Sequence, residues 1–211
     1  MTAAARTERP IFAPVREKLT LLAEAMVPTR HGLFRFVVFR HAEDPTKEHV
    51  AIVSGDVTGD DVLVRVHSEC MTGEVFGSLK CDCAAQLEHA LDAIGQAGRG
   101  VVIYLRQEGR SIGLANKIRA YALQAGGADT VDANRALGLP DDARRYDAAA
   151  AILDRLGVQS VRLLTSNPAK VDALRALGVE VRARVSAAVD LHPLSRAYLA
   201  TKRARMGHFP P

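Results

Sequence analysis

Tryptophan is absent from the 211-residue chain, and aromatic residues make up only 5% of it. The stacked rings on which single-stranded nucleic acid is commonly bound are therefore in short supply, and no nucleic-acid partner is expected. Long apolar runs are missing as well. None approaches the roughly 18 residues needed to cross a membrane, and residues 1–17 lack the apolar centre of a signal peptide. No membrane partner is expected, and the chain reads as a soluble, cytoplasmic protein. Neither G-K-[ST] nor G-x-G-x-x-G occurs, which removes the two commonest glycine-rich phosphate cradles. Charge is nearly balanced: 28 Lys and Arg against 24 Asp and Glu leave +4. The basic residues are dispersed except for Lys202, Arg203 and Arg205, which read as a solvated helix face. A modest positive excess suits a small phosphorylated ligand. Hydrophobic residues, at 48%, can fill a core. The chain is read as a flexible stretch over 1–18 followed by a single domain over 19–208.

Cysteine is scarce too, but it is concentrated. Cys70, Cys81 and Cys83 fall in RVHSECMTGEVFGSLKCDC with the spacing C-x10-C-x-C. On an extended segment Cys81 and Cys83 would project to one side and Asp82 to the other. Cys70 would fold back across a loop in which Gly73 and Gly77 permit tight turns. Three thiolates converging on a point suit zinc, with Zn–S bonds of roughly 2.3 Å. A structural site has four protein ligands, whereas a catalytic one has three and keeps a place for water. Here the fourth position falls to His67, an acid or water. Ordinary buried thiols, a disulfide with one thiol left over, and an iron–sulfur cluster are the competing readings.

The rest of the chain divides by period. Leu19 to Val27, Leu33 to Phe39, His49 to Ser54 and Val62 to His67 read as strands, with a turn over Pro28 to Gly32, and suggest an antiparallel layer in the first third. After Cys83 the period becomes helical: Leu87, Leu91 and Ile94, with Ala84 and Ala90, share a face up to Gly98. Gly100 to Leu105 is a continuous apolar run, as in a strand buried on both faces. The loop RQEGRSIG then leads into helical spacing over Leu114 to Gln124, an arrangement whose backbone N–H groups can receive an anion. A short helix over Asp129 to Leu139, a polar loop from Pro140 to Tyr146 and a helix to Leu156 follow. Ser160 to Thr165 and Val179 to Val185 read as further strands. Between them Asn167 is the expected N-cap and Pro168 the first helical residue. Lys170 lies in the first turn, where a cation opposes the helix dipole, so a bound anion is the better reason for it. Leu194 to Met206 reads as a terminal helix with a basic face. The fold class is α/β (α+β mixed): an N-terminal β-rich layer, then β-α-β units and a C-terminal helix.

These motifs occur together in one known family. RVHSEC-x-TG-x-x-x-x-SL-x-CDC, RQEGR-x-IGL-x-NKI-x-AY-x-LQ, DTV-x-AN, D-x-R-x-Y, LLT-x-NP-x-K and YL-x-TK-x-x-RMGH resemble GTP cyclohydrolase II from about Leu19 to His208. The resemblance implies a zinc-dependent homodimer that opens the imidazole ring of GTP at the start of riboflavin synthesis, with formate and pyrophosphate released. It implies Cys70, Cys81 and Cys83 as ligands of one Zn2+ per subunit, and Mg2+ with the phosphates. Arg65, Val66, His67, Ser68, Glu69, Gln86, Glu108, Gly109, Arg110, Thr130, Thr165 and Lys170 would line the GTP site. Asp142 would be the proton acceptor, Arg144 the nucleophile and Tyr121 a site hydroxyl. From the residues alone, Asp142 and Arg144 read as a loop ion pair, and Thr130 and Thr165 read equally well as turn or capping hydroxyls. Some relatives carry a second domain that makes dihydroxybutanone phosphate, and at this length a stand-alone form is expected. Three positions depart from the family pattern: Ala84 follows CDC, Ala125 stands where an acid is usual, and Ser166 occupies the TNNP-like segment. They leave room for a diverged relative that stops at a formamide product or takes another purine nucleotide. A zinc-stabilised nucleic-acid-binding module is the reading from a different class.

Overall fold

The computed structural model describes residues 18–126, 129–187 and 189. Seven strands form one sheet: β1 (Leu19–Thr29), β2 (Gly32–His41), β3 (Glu48–Ser54), β4 (Val62–Ser68), β5 (Gly100–Leu105), β6 (Ser160–Leu164) and β7 (Glu180–Val185). The helices are α1 (Met71–Glu74), α2 (Cys83–Ala97), α3 (Leu114–Ala125), α4 (Thr130–Ala136), α5 (Asp147–Arg155) and α6 (Pro168–Ala176). The expected terminal helix over 194–206 and the stretch over 1–17 lie outside the described residues.

The strand order is β1-β2-β3-β5-β4-β6-β7. β1, β2, β3 and β5 pair antiparallel in succession, whereas β5, β4, β6 and β7 run parallel. The expectation of a separate antiparallel layer is corrected in one respect: β4 belongs to the parallel half, and β5 inserts between it and β3. Local alternation could not reveal this, because β4 (VLVRVHS) is buried along almost its whole length, as strands covered on both faces are.

Side chains alternate between the two faces. Val101, Ile103 and Leu105 of β5 and Val64 and Val66 of β4 point into a core closed by Ala149, Ile152 and Leu153 of α5 and Val171 and Leu174 of α6. Val102 and Leu63 point the other way, against Ala90 and Ile94 of α2, with Phe34 and Ile52. Helices therefore cover both faces of the parallel half. α2 leads from β4 to β5 on one side, and α5 leads back past β4 to β6 on the other. The connections diverge at β4, the kind of switch point at which open α/β sheets leave a crevice beyond the carboxyl ends of the strands.

Candidate active site

The carboxyl ends of β4, β5 and β6 frame an open cleft, the place where open α/β sheets commonly bind small molecules. β4 supplies Arg65, His67 and Ser68 and, just beyond its end, Glu69 and Cys70. The loop after β5 supplies Gly109 and Arg110, and the turn after β6 supplies Thr165, Ser166 and Asn167. Backbone geometry marks the β5–α3 loop. Gly109, Arg110 and Ser111 all have positive φ, at 62°, 60° and 71°, a costly conformation for the two non-glycine residues. A Cβ on Gly109 would lie 3.0 Å from the Gly113 carbonyl oxygen and 3.2 Å from Lys117 Cβ, so a side chain there would be strained in its backbone and crowded by its neighbours.

Three thiols converge at the cleft. The sulfurs of Cys70, Cys81 and Cys83 all lie within 4.8 Å of one another, a group that could hold a metal ion, and Cys70 and Cys81 are 3.6 Å apart. No disulfide joins them, which removes that reading. Cys83 does not share an extended segment with Cys81: it opens α2, with Asp82 in the N-cap position. A helix start aims the Cys83 thiol at its partners as effectively as an extended strand would. Cys70 occupies the N-cap position of α1, a one-turn helix over a stretch expected to be a loop. Gly73 packs onto the cluster, and a Cβ there would lie 3.0 Å from Cys81 Sγ and 3.4 Å from Cys70 Sγ. Hydrogen bonding to its neighbours holds the Cys70 thiol far below the ordinary range, outweighing the opposing effect of burial.

His67 does not complete the thiol set. Its Nε2 lies 2.7 Å from Glu74 Oε1 and its Nδ1 faces Arg65 Nη2 at 3.4 Å. The ring also stacks on Tyr104, whose hydroxyl donates to Glu74 Oε2 at 2.6 Å. Burial lowers the His67 pKa and raises that of Tyr104. Arg65 is buried and donates to the Leu164 carbonyl at 3.0 Å and to Gln86 Oε1 at 2.6 Å, and Gln86 in turn donates to Asp82. Desolvation pulls the Arg65 pKa down to about 10. Arg65 Nε and Ser68 Oγ are buried with no hydrogen-bond partner among the described residues, an uncommon condition for polar atoms.

Opposite charges line the remaining wall. Arg144 clasps Asp142 with Nε at 2.9 Å and 3.1 Å from its two oxygens and Nη2 at 2.5 Å. Burial acts to raise the Asp142 pKa, but the Arg144 hydrogen bonds and charge outweigh it and the net shift is downward. The ion pair read from the sequence is thus present. Gln107 holds the segment from behind: its amide donates to the Arg145 carbonyl at 2.8 Å and its oxygen accepts from the Arg145 N–H at 2.9 Å.

Most of the residues nominated from the sequence come together here. Arg65, His67, Ser68, Glu69, Gln86, Gly109, Arg110, Tyr121, Arg144, Thr165, Lys170 and the three cysteines all line the cleft. Val66 is buried in the core and contributes its carbonyl, which accepts from Lys170 Nζ at 2.6 Å. That bond, and the Tyr146 ring 5.7 Å away, give Lys170 partners within the chain beside the bound anion expected for it. Thr165 Oγ1 accepts from the Asn167 N–H at 3.1 Å, the turn role anticipated for it. Asp142 reaches the cleft through Arg144. Glu108 stands behind the lining and pairs with Lys117 at 2.8 Å. The side chain of Thr130 lies outside the description. Lys117 itself escaped the sequence reading, although NKI was among the motifs; only the fold brings α3 back to Cys70.

The family profile described as GTP cyclohydrolase II matches residues 20–186. A protein named riboflavin biosynthesis protein RibBA from Salinispora arenicola is 57% identical over 194 residues, covering 91% of this chain and 46% of its own. Its namesake from Salinispora tropica is 55% identical, with 91% and 48% covered. The chain thus spans about half the length of these relatives. A GTP cyclohydrolase-2 from Acinetobacter baumannii is 52% identical over 194 residues, covering 90% of this chain and 96% of its own.

Proposed function

Because the chain belongs to the GTP cyclohydrolase II family, we propose that its cleft hydrolyses the guanine imidazole ring of GTP. Formate and pyrophosphate leave, and the product is 2,5-diamino-6-(5-phosphoribosylamino)pyrimidin-4(3H)-one, the first step of riboflavin biosynthesis. The observation that carries this reading is the meeting of three thiols with a set of cationic and hydrogen-bonding side chains in one cleft.

One zinc ion per subunit is held by Cys70, Cys81 and Cys83. Tetrahedral ligands at roughly 2.3 Å stand roughly 3.8 Å apart, and the 3.6 Å between Cys70 and Cys81 agrees with that spacing. The all-sulfur donor set suits zinc, and Gly73 keeps the space open. Zinc supplies Lewis acidity for the attack of water on an aromatic carbon that is a poor electrophile.

The chain's own residues do the rest. Gln86, oriented between Arg65 and Asp82, and Glu69 read the guanine edge. Ser68 lines the cleft beside them, and Tyr121 and His67 assist proton movement. Arg110, Lys170, Thr130, Thr165 and the loop at Glu108 and Gly109 hold the phosphate end, where Mg2+ would offset the negative charge. Pyrophosphate leaves when a nitrogen of Arg144 bonds to the α-phosphorus, the α–β phosphoanhydride bond breaks and the guanidinium proton passes to Asp142; water then cleaves the N–P bond, its hydroxyl staying on phosphorus as part of the product's 5-phosphate and its proton returning to Arg144. A guanidinium is a weak nucleophile because its pKa exceeds about 12. The two-edged Asp142 clasp supports the assignment because it both aims the group and stands ready for its proton. Residues 19–208 act as one domain of an enzyme that works as a homodimer in the cytoplasm.

The purified protein with GTP, Zn2+ and Mg2+ should release formate and pyrophosphate in equal amounts, with the diaminopyrimidine product identified by mass. Cys81→Ser should lose zinc and formate release together. Formate released by metal-free protein would sink this reading. A formamide product without formate would instead favour the diverged relative for which Ala84, Ala125 and Ser166 leave room. Chelation that unfolds the chain, with salt-sensitive binding to polynucleotide, would favour the nucleic-acid module.

A further inference from the structure

Lys117 is a cation on α3 that nothing in the proposed chemistry uses. Its Nζ donates to Cys70 Sγ at 3.1 Å and to Glu108 Oε1 at 2.8 Å, and both side chains are about nine-tenths buried, at 11% and 10% exposed. Glu108 is itself tied down. Its Oε1 also accepts from the Gly109 N–H at 2.7 Å, and its Oε2 accepts from the Met71 N–H at 2.7 Å. One carboxylate thus joins the residue after Cys70, the strained loop after β5 and the lysine on α3. With these bonds made, it works as an organiser of the thiol cluster.

We infer that Lys117 is the built-in counter-cation of the three-thiolate site, held on Cys70 by Glu108, and that it tunes how strongly Cys70 donates to the metal. The inference rests on the metal reading above. Three thiolates around a divalent ion carry one net negative charge, and the Lys117 ammonium, shared between Cys70 Sγ and Glu108, is the cation set directly against it. An N–H···S bond draws electron density from sulfur, so the bonded thiolate donates less and the metal stays more acidic. Outer partners of ligands act in this way across metal sites, at a typical cost of roughly 10–100-fold when removed. Lys117 and Glu108 are positioning residues in this account.

The test is Co2+ substitution in the full chain, comparing wild type with Lys117→Met, Lys117→Arg and Glu108→Gln. The thiolate-to-cobalt charge-transfer band should move to lower energy in Lys117→Met, because the freed sulfur lone pairs rise. It should move less in Lys117→Arg, which keeps a charged donor, and in the same direction in Glu108→Gln. Formate release by zinc-loaded Lys117→Met should fall roughly 10–100-fold with KM for GTP little changed. An unmoved band in Lys117→Met, with KM for GTP raised instead, would make Lys117 a substrate contact and overturn the inference while leaving the hydrolase reading intact. Wild-type protein that takes up no Co2+ through thiolates would overturn both.

Discussion

Gly73 owes its place to what surrounds it rather than to its backbone. An added methyl would sit 3.0 Å from Cys81 Sγ and 3.4 Å from Cys70 Sγ, tighter than ordinary van der Waals contact. The surrounding helical turn would welcome alanine, which is better than glycine in a helix by about 1 kcal/mol. Gly73→Ala should therefore leave the fold intact while spreading the sulfurs, and zinc affinity measured against a chelating dye should weaken at least about tenfold, or roughly 1.4 kcal/mol. Unchanged affinity would mean that the thiols yield without cost. The same scale explains why the cysteines were readable from sequence and Lys117 was not. Three scarce, clustered residues of one reactive type are conspicuous. A lysine inside a helix is ordinary until its neighbour is known.

At the scale of elements, the clearest local signal is the start of α6. Asn167 caps it by accepting from the Ala169 N–H at 3.1 Å, and Pro168 occupies the first turn, as the sequence S-N-P proposes. The cap also shapes the cleft, since Thr165, Ser166 and Asn167 line it. Asn167→Ala should cost about 1 kcal/mol of stability, read as a lowered urea midpoint with an unchanged slope, and should weaken GTP binding by loosening this turn. A stability loss without any change in KM would detach the cap from the site. Other elements carried weaker signals. The four residues of α1 are too few to show a period, and C-x-C is compatible with an extended segment that would gather both thiols on one side. A helix beginning at that residue meets the same geometric demand.

At the scale of the whole molecule, burial sets a pH dependence. His41, His49 and His67 are all buried, and desolvation lowers the pKa of each, that of His49 to about 4. Below the unfolded value of about 6.5, the unfolded chain binds protons that the native chain does not. Stability from these groups is therefore full above about pH 6.5 and declines as pH falls toward about 4. For His49 the loss should be on the order of 2–3 kcal/mol, seen as a urea midpoint that drops between pH 7 and pH 4.5. His49→Gln keeps an acceptor near the Arg106 N–H, which His49 Nδ1 meets at 3.2 Å, and should flatten that drop. An equal decline in both proteins would assign it to the carboxylates.

The reach of the sequence follows from the range of the forces involved. Strand and helix identity depend on neighbours a few residues away, so β5, the cap at Asn167 and the mixed α/β character were legible, as was the thiol cluster with most of the residues around it. Sheet order was not. Whether β3 pairs with β4 or with β5 depends on which faces α2, α5 and α6 cover, a matter of hydrophobic packing between segments far apart in the chain. That same packing fixed the chemistry of individual groups. It turned Lys170 onto the Val66 carbonyl, committed Glu108 to Met71, Gly109 and Lys117, and set an ammonium beside Cys70. Residue types announced which chemistry was on hand; burial and long-range contact decided which atoms were left to perform it.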